Sequence, residues 1–272
     1  METNKIDKEY LEQDSQYSFP YHFLVENKNG NIIKPFKVNY WLFDYMRLIK
    51  YLKKRIEEKN FKNLLDFGSG EGRLIFELNK ESKNNFYGFE ISQTAKHFFK
   101  AFNPNVKLIE NLDELSGYKN FFDIVTLTEV IEHIPDDSVN KSILAIVDSL
   151  KSGGFLFVTA PHKNQPVLKK HYRHYDSSSL LKSFAEDKFE LIEKKFLFKY
   201  SLIKKILLKI FFNRFFLINF NFMYKIFFNA NKNNIFGNEK NCETIFLILK
   251  KKINEKNNYY RRRNKNWCSY SK

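Results

Sequence analysis

The stretch LLDFGSGEGRL, residues 64–74, reads as a β-strand that runs into a glycine turn and then a helix. Leu64, Leu65 and Phe67 form the short apolar run of a strand buried in a parallel sheet. Gly68, Gly70 and Gly72 follow at alternate positions. Lacking Cβ, they permit a tight turn at unusual φ and a close backbone approach to a ligand, which the N–H groups opening the next helix can face. The spacing alone is weak, because dinucleotide sites and ordinary strand-to-helix turns share it.

Outward from that joint, Asp66 precedes the turn, and Glu90 closes the next apolar segment, YGFEIS. A carboxylate about twenty residues beyond a glycine turn is placed to accept both hydroxyls of a ribose. FDIVTLTEVIEHIPD (122–136) and LKSGGFLFVTAPHKN (150–164) supply two more strands, and VKLIENLDEL (106–115) a short one with its loop. Between them fall helical patterns. Trp41, Tyr45, Leu48, Ile49 and Leu52 share one face over 40–59, and a burial pattern of this kind places Trp41 in the core. Helices are also expected over 73–80, 93–102, 137–154 (closed by Gly153 and Gly154) and 176–184 (opened by capping residues). KFELIEKKFLF (188–198) and CETIFLILKK (242–251) read as an antiparallel pair of strands at one edge of the sheet.

Taken together, residues 44–199 resemble class I S-adenosylmethionine (SAM)-dependent methyltransferases, with the strand-end motifs in that family's order. The resemblance implies an α/β fold: a Rossmann-like, seven-stranded, mostly parallel sheet with helices on both faces, plus a helical insert between the last two strands. It implies three segments: an N-terminal arm (1–39), a SAM-dependent methyltransferase domain (40–250) and a basic, disordered tail (251–272). It also implies SAM contacts from Asp66, Gly68, Ser69, Gly70, Gly72, Glu90, Ile91, Asn111, Leu112 and Thr128. Asn111 stands where many relatives carry an adenine-facing Asp. Its side-chain carbonyl would serve the same exocyclic amine.

Charge is unevenly distributed. The net +15 is carried by residues 194–232, with nine Lys/Arg and no acid, and 251–272, with eight Lys/Arg and one Glu, so the remainder is close to neutral. An anionic partner should meet the C-terminal third. Within it, 199–234 reads as amphipathic helices bearing Lys204, Lys205, Lys209, Arg214 and Lys225 among Leu, Ile and Phe. That insert caps the site or lies on a membrane surface, and the cap is preferred because an interfacial helix needs its apolar face exposed in the free protein. The 30 Phe and 15 Tyr supply core material, although Phe, Ile, Lys and Asn are abundant together, as an AT-rich coding sequence would make them. Cys242 and Cys268 have no metal or redox spacing. METNKIDKEY lacks a signal-peptide apolar stretch and no uncharged run approaches the ~20 residues of a membrane-spanning helix, so a cytoplasmic protein is expected. SFPYHFL (18–24) sits in an arm expected to pack over the sheet edge.

The chemistry concentrates after the fourth strand. SAM arrives already activated, so the protein must align donor and acceptor and remove or mask an acceptor proton. His133 is a candidate general base, with Glu132 beside it and Arg173 as a fork for an acceptor phosphate or carboxylate. Glu129, Glu132 and His133 also reproduce the E-x-x-E-H pattern of ubiquinone-pathway O-methyltransferases and small-RNA 2′-O-methyltransferases. That resemblance implies a divalent cation held by Glu129, Glu132, His133 and a later His, for which KKHYRHYD offers His171 ahead of His174. Mg²⁺ or Mn²⁺ suits such a mixed O/N set, and Zn²⁺ does on ligand type alone. The alternative is a metal-free site in which His133 hydrogen-bonds at the strand end. FPYHF and KKHYRHYD are similar to methyltransferases of surface-polysaccharide synthesis, including those of capsular O-methyl phosphoramidate. The expected reaction is therefore O-methylation of a small polar, phosphorylated metabolite or activated sugar in capsule building. RNA 2′-O-methylation is an alternative, with nucleic acid not the expected partner because no RNA-binding module is recognisable. A non-catalytic membrane-surface protein working through 199–234 is the other. Oligomeric state has no signature in the sequence.

Overall fold

A computed structural model describes residues 14, 17, 20–24, 26–28, 31–33, 41–80, 82–184, 187–199, 206 and 235–253. The helical insert expected over 199–234, the tail over 251–272 and the side chain of Trp41 therefore lie, but for a few residues at their margins, outside the described residues.

The main sheet is built from strands β3 (Asn63–Phe67), β4 (Asn85–Phe89), β5 (Lys107–Ile109), β6 (Phe122–Thr128), β7 (Leu150–Pro161), β8 (Phe189–Leu197) and β9 (Thr244–Lys251). Their spatial order is β5-β4-β3-β6-β7-β9-β8. The first five lie parallel, and β9 runs antiparallel between β7 and β8. This is the Rossmann-like seven-stranded sheet anticipated from the sequence. A small antiparallel pair, β1 (Glu26–Lys28) with β2 (Asn31–Ile33), precedes it.

Alternation along the strands divides the core in two. Leu64, Ile124, Phe157 and Phe246 join Leu48, Ile49, Leu52 and Ile56 of α1 (Trp41–Glu57), Leu74, Ile75 and Leu78 of α2 (Arg73–Asn79) and Phe99 of α3 (Gln93–Phe102). Leu65, Val125, Val158 and Leu247 join Leu115 of α4 (Leu112–Ser116), Ile143 and Ile146 of α5 (Val139–Ser149) and Leu180 of α6 (Ser177–Lys182). Neighbouring residues on a strand face opposite sides, so the continuous apolar runs read in the sequence are what a doubly covered sheet requires. At α6 Asp176 accepts from the Ser179 N–H and the Ser179 hydroxyl closes the reciprocal capping box, as the DSSS motif foretells.

One boundary differs from the sequence reading. The helix of 137–154 stops at Ser149, and Gly153 and Gly154 lie inside β7. Pairing with β6 shifts from Phe122–Leu150 to Ile124–Phe155, so the glycines occupy a bulge, where Gly153 takes φ +80° and a Cβ on Gly154 would come within 3.0 Å of the Asp123 carbonyl oxygen. A glycine pair after an amphipathic run serves a bulge as well as a helix end.

Gly72 marks the other demanding turn. At φ +80° it leads directly into α2, and a Cβ there would lie 2.3 Å from Asn103 Nδ2 and 2.7 Å from the Phe99 ring. Gly72→Ala should therefore lose about 2–4 kcal/mol, combining the left-handed backbone with overpacking against Phe99. Urea unfolding monitored by circular dichroism reads this, and a loss below 1 kcal/mol would show that the turn yields.

Candidate active site

The glycine turn is built by backbone bonds from two strands. The Gly68 and Ser69 N–H groups both donate to the Phe89 carbonyl, at 2.8 and 2.9 Å, which ties the end of β3 to the end of β4. Glu90 then gathers three further N–H groups: Gly70 donates to Oε2 at 2.7 Å, and Ile91 and Ser92 donate to Oε1 at 2.9 and 2.8 Å. Burial pushes the Glu90 carboxyl above its usual range, while those bonds and Lys96 act the other way. Ile91, 52% exposed, and the partly buried Leu112 flank this end of the sheet, which leaves apolar surface beside Glu90. The Thr128 hydroxyl is buried with no hydrogen-bond partner.

Two of the expected cofactor residues are engaged elsewhere. Asp66 points across the sheet, where its Oδ1 accepts from Thr126 Oγ1 at 2.6 Å. Asn111 caps α4, and the side-chain oxygen expected to meet an adenine amine instead accepts from the Glu114 N–H at 2.8 Å. Both are strand-end residues, but Asp66 alternates inward and Asn111 sits at a helix start.

Asp66 carries a testable consequence. Burial, helped by the Glu90 charge and opposed by the Thr126 hydrogen bond, raises its pKa to about 7. An acid with a raised folded pKa holds its proton longer in the fold than in the unfolded chain, so its contribution to stability falls as pH climbs from about 4 to about 7 and then levels. The shift corresponds to an order of 4 kcal/mol across that window. Asp66→Asn, whose Oδ1 can still accept from Thr126, should remove this slope. Urea titrations of both proteins at pH 4, 5.5 and 7 measure it, and parallel curves would refute the assignment.

The N-terminal arm, expected over the sheet edge, packs on the glycine turn. Asp14 accepts from the Thr94 hydroxyl at 2.9 Å and from Ser92 Oγ. The His22 N–H donates to the buried Glu71 at 3.1 Å, and Arg73 donates to the His22 carbonyl at 3.2 Å. A Cβ on Gly70 would sit 3.1 Å from the Tyr17 hydroxyl, so that phenol lies directly over the turn. Sequence reasoning missed Asp14 and Tyr17, since an aperiodic polar segment gives no sign of where it docks.

At the end of β6 the chain kinks. Glu129 adopts φ +54°, a conformation rare for a non-glycine residue, and its N–H donates to Thr159 of β7, at 3.2 Å to the carbonyl and 3.0 Å to Oγ1. A 3-10 turn, Ile131–His133, follows and faces the loop that carries residues 168–175. Three contacts join them: the Tyr172 N–H donates to the Glu132 carbonyl at 2.9 Å, His133 Nδ1 pairs with the Lys170 carbonyl at 3.1 Å, and Arg173 donates to the Ile131 carbonyl at 3.0 Å. Arg173 also donates to Asp136 through Nε, at 2.9 Å, and through Nη2. Its guanidinium is thus engaged in holding the two loops together, a role beside the acceptor fork expected from the sequence.

These loops bring Glu132, His133 and His171 together, with one ligand atom of each within 4.8 Å of the others. His133 Nε2 lies 3.7 Å from Glu132 Oε1, and the rings of His133 and His171 meet edge to face with centroids 4.6 Å apart. Glu129 falls outside this group of donor atoms, so three of the four expected cation ligands converge. Glu132 is 1% exposed, and its Oε2, like Glu129 Oε1, is buried without a hydrogen-bond partner. Burial and then the Glu129 charge drive the Glu132 pKa well above the carboxylate range, and burial raises Glu129 to about 7. Burial also holds His133 down at about 4 and His171 at about 3, so both rings are neutral at pH 7. A carbonyl only accepts, so His133 carries its proton on Nδ1, toward Lys170, and turns a bare Nε2 to Glu132. An orphaned carboxylate oxygen beside neutral imidazoles fits a divalent cation by donor chemistry.

A mostly parallel seven-stranded sheet, with a glycine turn after β3 and a buried carboxylate after β4 that accepts from that turn, is the arrangement of a class I SAM-dependent methyltransferase. The chain belongs to the methyltransferase domain family, whose match covers residues 40–195. It is 28% identical over 122 residues to a ubiquinone biosynthesis O-methyltransferase of Hydrogenovibrio crunogenus, a match over 43% of this chain that spans only about half (49%) of that relative. In fold it is similar to the N-methyltransferase NodS of Bradyrhizobium japonicum WM9, solved with S-adenosyl-l-homocysteine (TM-score 0.57, 10% identity, 89% of this chain and 98% of that one). It is also similar to the [4+2]-cyclase SpnF (TM-score 0.56, 16% identity, 90% and 92%). A fold shared by a methyltransferase and a cyclase leaves the reaction to be argued from the site. Among the described residues no helix is long and apolar enough to cross a membrane.

Proposed function

We propose that the protein transfers the methyl group of SAM to an oxygen of a small, polar, anionic acceptor, with a divalent cation held by Glu132, His133 and His171. One observation carries the reading: a buried carboxylate with an orphaned oxygen and two neutral imidazoles face one another at the end of β6, on the same edge of the sheet as the Gly68–Gly72 turn. The named role of the ubiquinone-pathway relative supports oxygen as the acceptor atom. A cation bound there would lower the pKa of an acceptor hydroxyl and orient it. The chain's own part is positional. Glu90 and the glycine turn hold the donor, Arg173 and Tyr172 fix the two loops against each other, and His133 and His171, both neutral at working pH, would offer their lone pairs to the cation that activates the acceptor oxygen. Within the anionic class, a phosphorylated metabolite or activated sugar of surface-polysaccharide synthesis is favoured by the resemblance of FPYHF and KKHYRHYD to such enzymes. Lys169, exposed on the loop that faces the turn of Ile131–His133, supplies cationic surface nearby. Cytoplasmic location belongs to this same reading.

The test is direct. Purified protein with SAM, Mn²⁺ or Mg²⁺ and a panel of phosphorylated sugars and metabolites should release S-adenosylhomocysteine, and EDTA should suppress that release. Release unaffected by EDTA would remove the cation from the proposal, and release with amines alone would remove oxygen as the acceptor.

A further inference from the structure

Behind the cation cluster stands a third histidine that the proposed chemistry does not use. His174 is 7% exposed, and its Nδ1 lies 3.0 Å from the Gln165 carbonyl. Its Nε2 lies 2.7 Å from His171 Nδ1, with the two ring centroids 5.0 Å apart. The proton inventory along this row is determined by its far end. A carbonyl oxygen has no hydrogen to give, so His174 must carry its proton on Nδ1. In neutral imidazole the other nitrogen is then an acceptor, and His174 Nε2 takes the hydrogen bond from His171 Nδ1–H. His171 is left with a bare Nε2.

We infer that His174 is a positioning residue: by accepting from His171 Nδ1–H it fixes that ring in one tautomer and orientation, so that the Nε2 lone pair is presented to Glu132 and His133. The backbone sets the direction of the relay, since Gln165 contributes only its carbonyl, and substitutions of the Gln165 side chain leave it intact. Metal-binding histidines depend on such outer partners for tautomer and orientation. His133 has the equivalent partner in the Lys170 carbonyl, so both imidazoles of the cluster are locked from behind, one by backbone directly and one through a second ring. The use of the lock rests on the cation reading given above, but its existence does not.

Two measurements on the full chain separate these points. Long-range ¹H–¹⁵N spectra of metal-free, ¹⁵N-histidine-labelled protein at pH 8, with His171→Gln to assign the ring, should place the His171 proton on Nδ1. His174→Phe keeps a planar ring but offers no acceptor, and should convert His171 to a mixture of tautomers. His174→Gln, whose amide oxygen can accept, should restore the wild-type pattern. In parallel, titration with Mn²⁺ alone should show binding weakened about 10–100-fold in His174→Phe and recovered in His174→Gln. A wild-type His171 protonated on Nε2, or a tautomer unchanged in His174→Phe, overturns the lock without reference to any metal. Mn²⁺ affinity equal in the wild type and His174→Phe overturns its role in ligation. A wild type that binds no Mn²⁺ defeats the cation reading instead, and the spectra still decide the tautomer.

Discussion

Glu90→Gln is expected to weaken binding of SAM and S-adenosylhomocysteine by about 100-fold or more. Three backbone N–H groups, from Gly70, Ile91 and Ser92, converge on the two oxygens of this carboxylate. An amide can satisfy only one side of that arrangement. Its NH₂ group must face either Gly70 N–H or the Ile91 and Ser92 pair, leaving at least one buried donor against another donor. An unsatisfied buried polar group costs about 1–3 kcal/mol, and the upper part of that range is a hundredfold in affinity when the strain falls on the ligand-holding turn. The carboxylate also loses its capacity to accept both hydroxyls of a ribose. Calorimetric titration with S-adenosylhomocysteine measures the loss. Glu110→Gln is the control, because Glu110 lies one strand further out and pairs with Lys96 and Lys100 at 3.2 and 2.8 Å. If Glu90→Gln bound the ligand as the wild type does, the turn would not be the cofactor site.

Much of this site was legible in the sequence, and the reason is local. Gly68, Gly72 and Glu90 act through backbone geometry at strand ends, and strand ends are marked by apolar runs that stop. The strands themselves were legible for the same reason, since β3, β6, β7 and β9 are buried along most of their length and read as continuous hydrophobic segments. What was not legible depended on partners distant in the chain. Arg173 looks free in the sequence because Asp136, 37 residues earlier, is not seen to face it. Asp14 and Tyr17 reach the turn from an arm with no periodicity. The preference for His171 over His174 did hold, since His171 is the ring that meets Glu132 and His133, but the contact between the two rings was not legible.

The largest effect at the other end of the site should come from Glu132→Gln, and it should cut two ways. In the metal-free protein Glu132 is a carboxyl group almost wholly removed from water, beside the buried Glu129 and with one oxygen lacking any donor. Burying such a group is unfavourable unless a cation or proton compensates it. Glutamine has nearly the same shape, carries no charge and can donate toward His133 Nε2, which lies 3.7 Å from the present Oε1. Metal-free Glu132→Gln should therefore unfold a few degrees higher than the wild type, by about 1–2 kcal/mol. Addition of Mn²⁺ should raise the unfolding temperature of the wild type and leave the variant unmoved, because the anionic ligand is gone and two neutral imidazoles hold a hard cation weakly. Release of S-adenosylhomocysteine should fall by at least about 100-fold in the variant at saturating SAM. His171→Ala should also lose the Mn²⁺ response, but without the gain in metal-free stability, since it empties a packed position and relieves no buried charge. The pair of outcomes is diagnostic. A variant at Glu132 that is more stable yet unresponsive to Mn²⁺ identifies a carboxylate kept in place for a cation, whereas equal stability and equal Mn²⁺ response in both proteins would return Glu132 to a structural role at the loop.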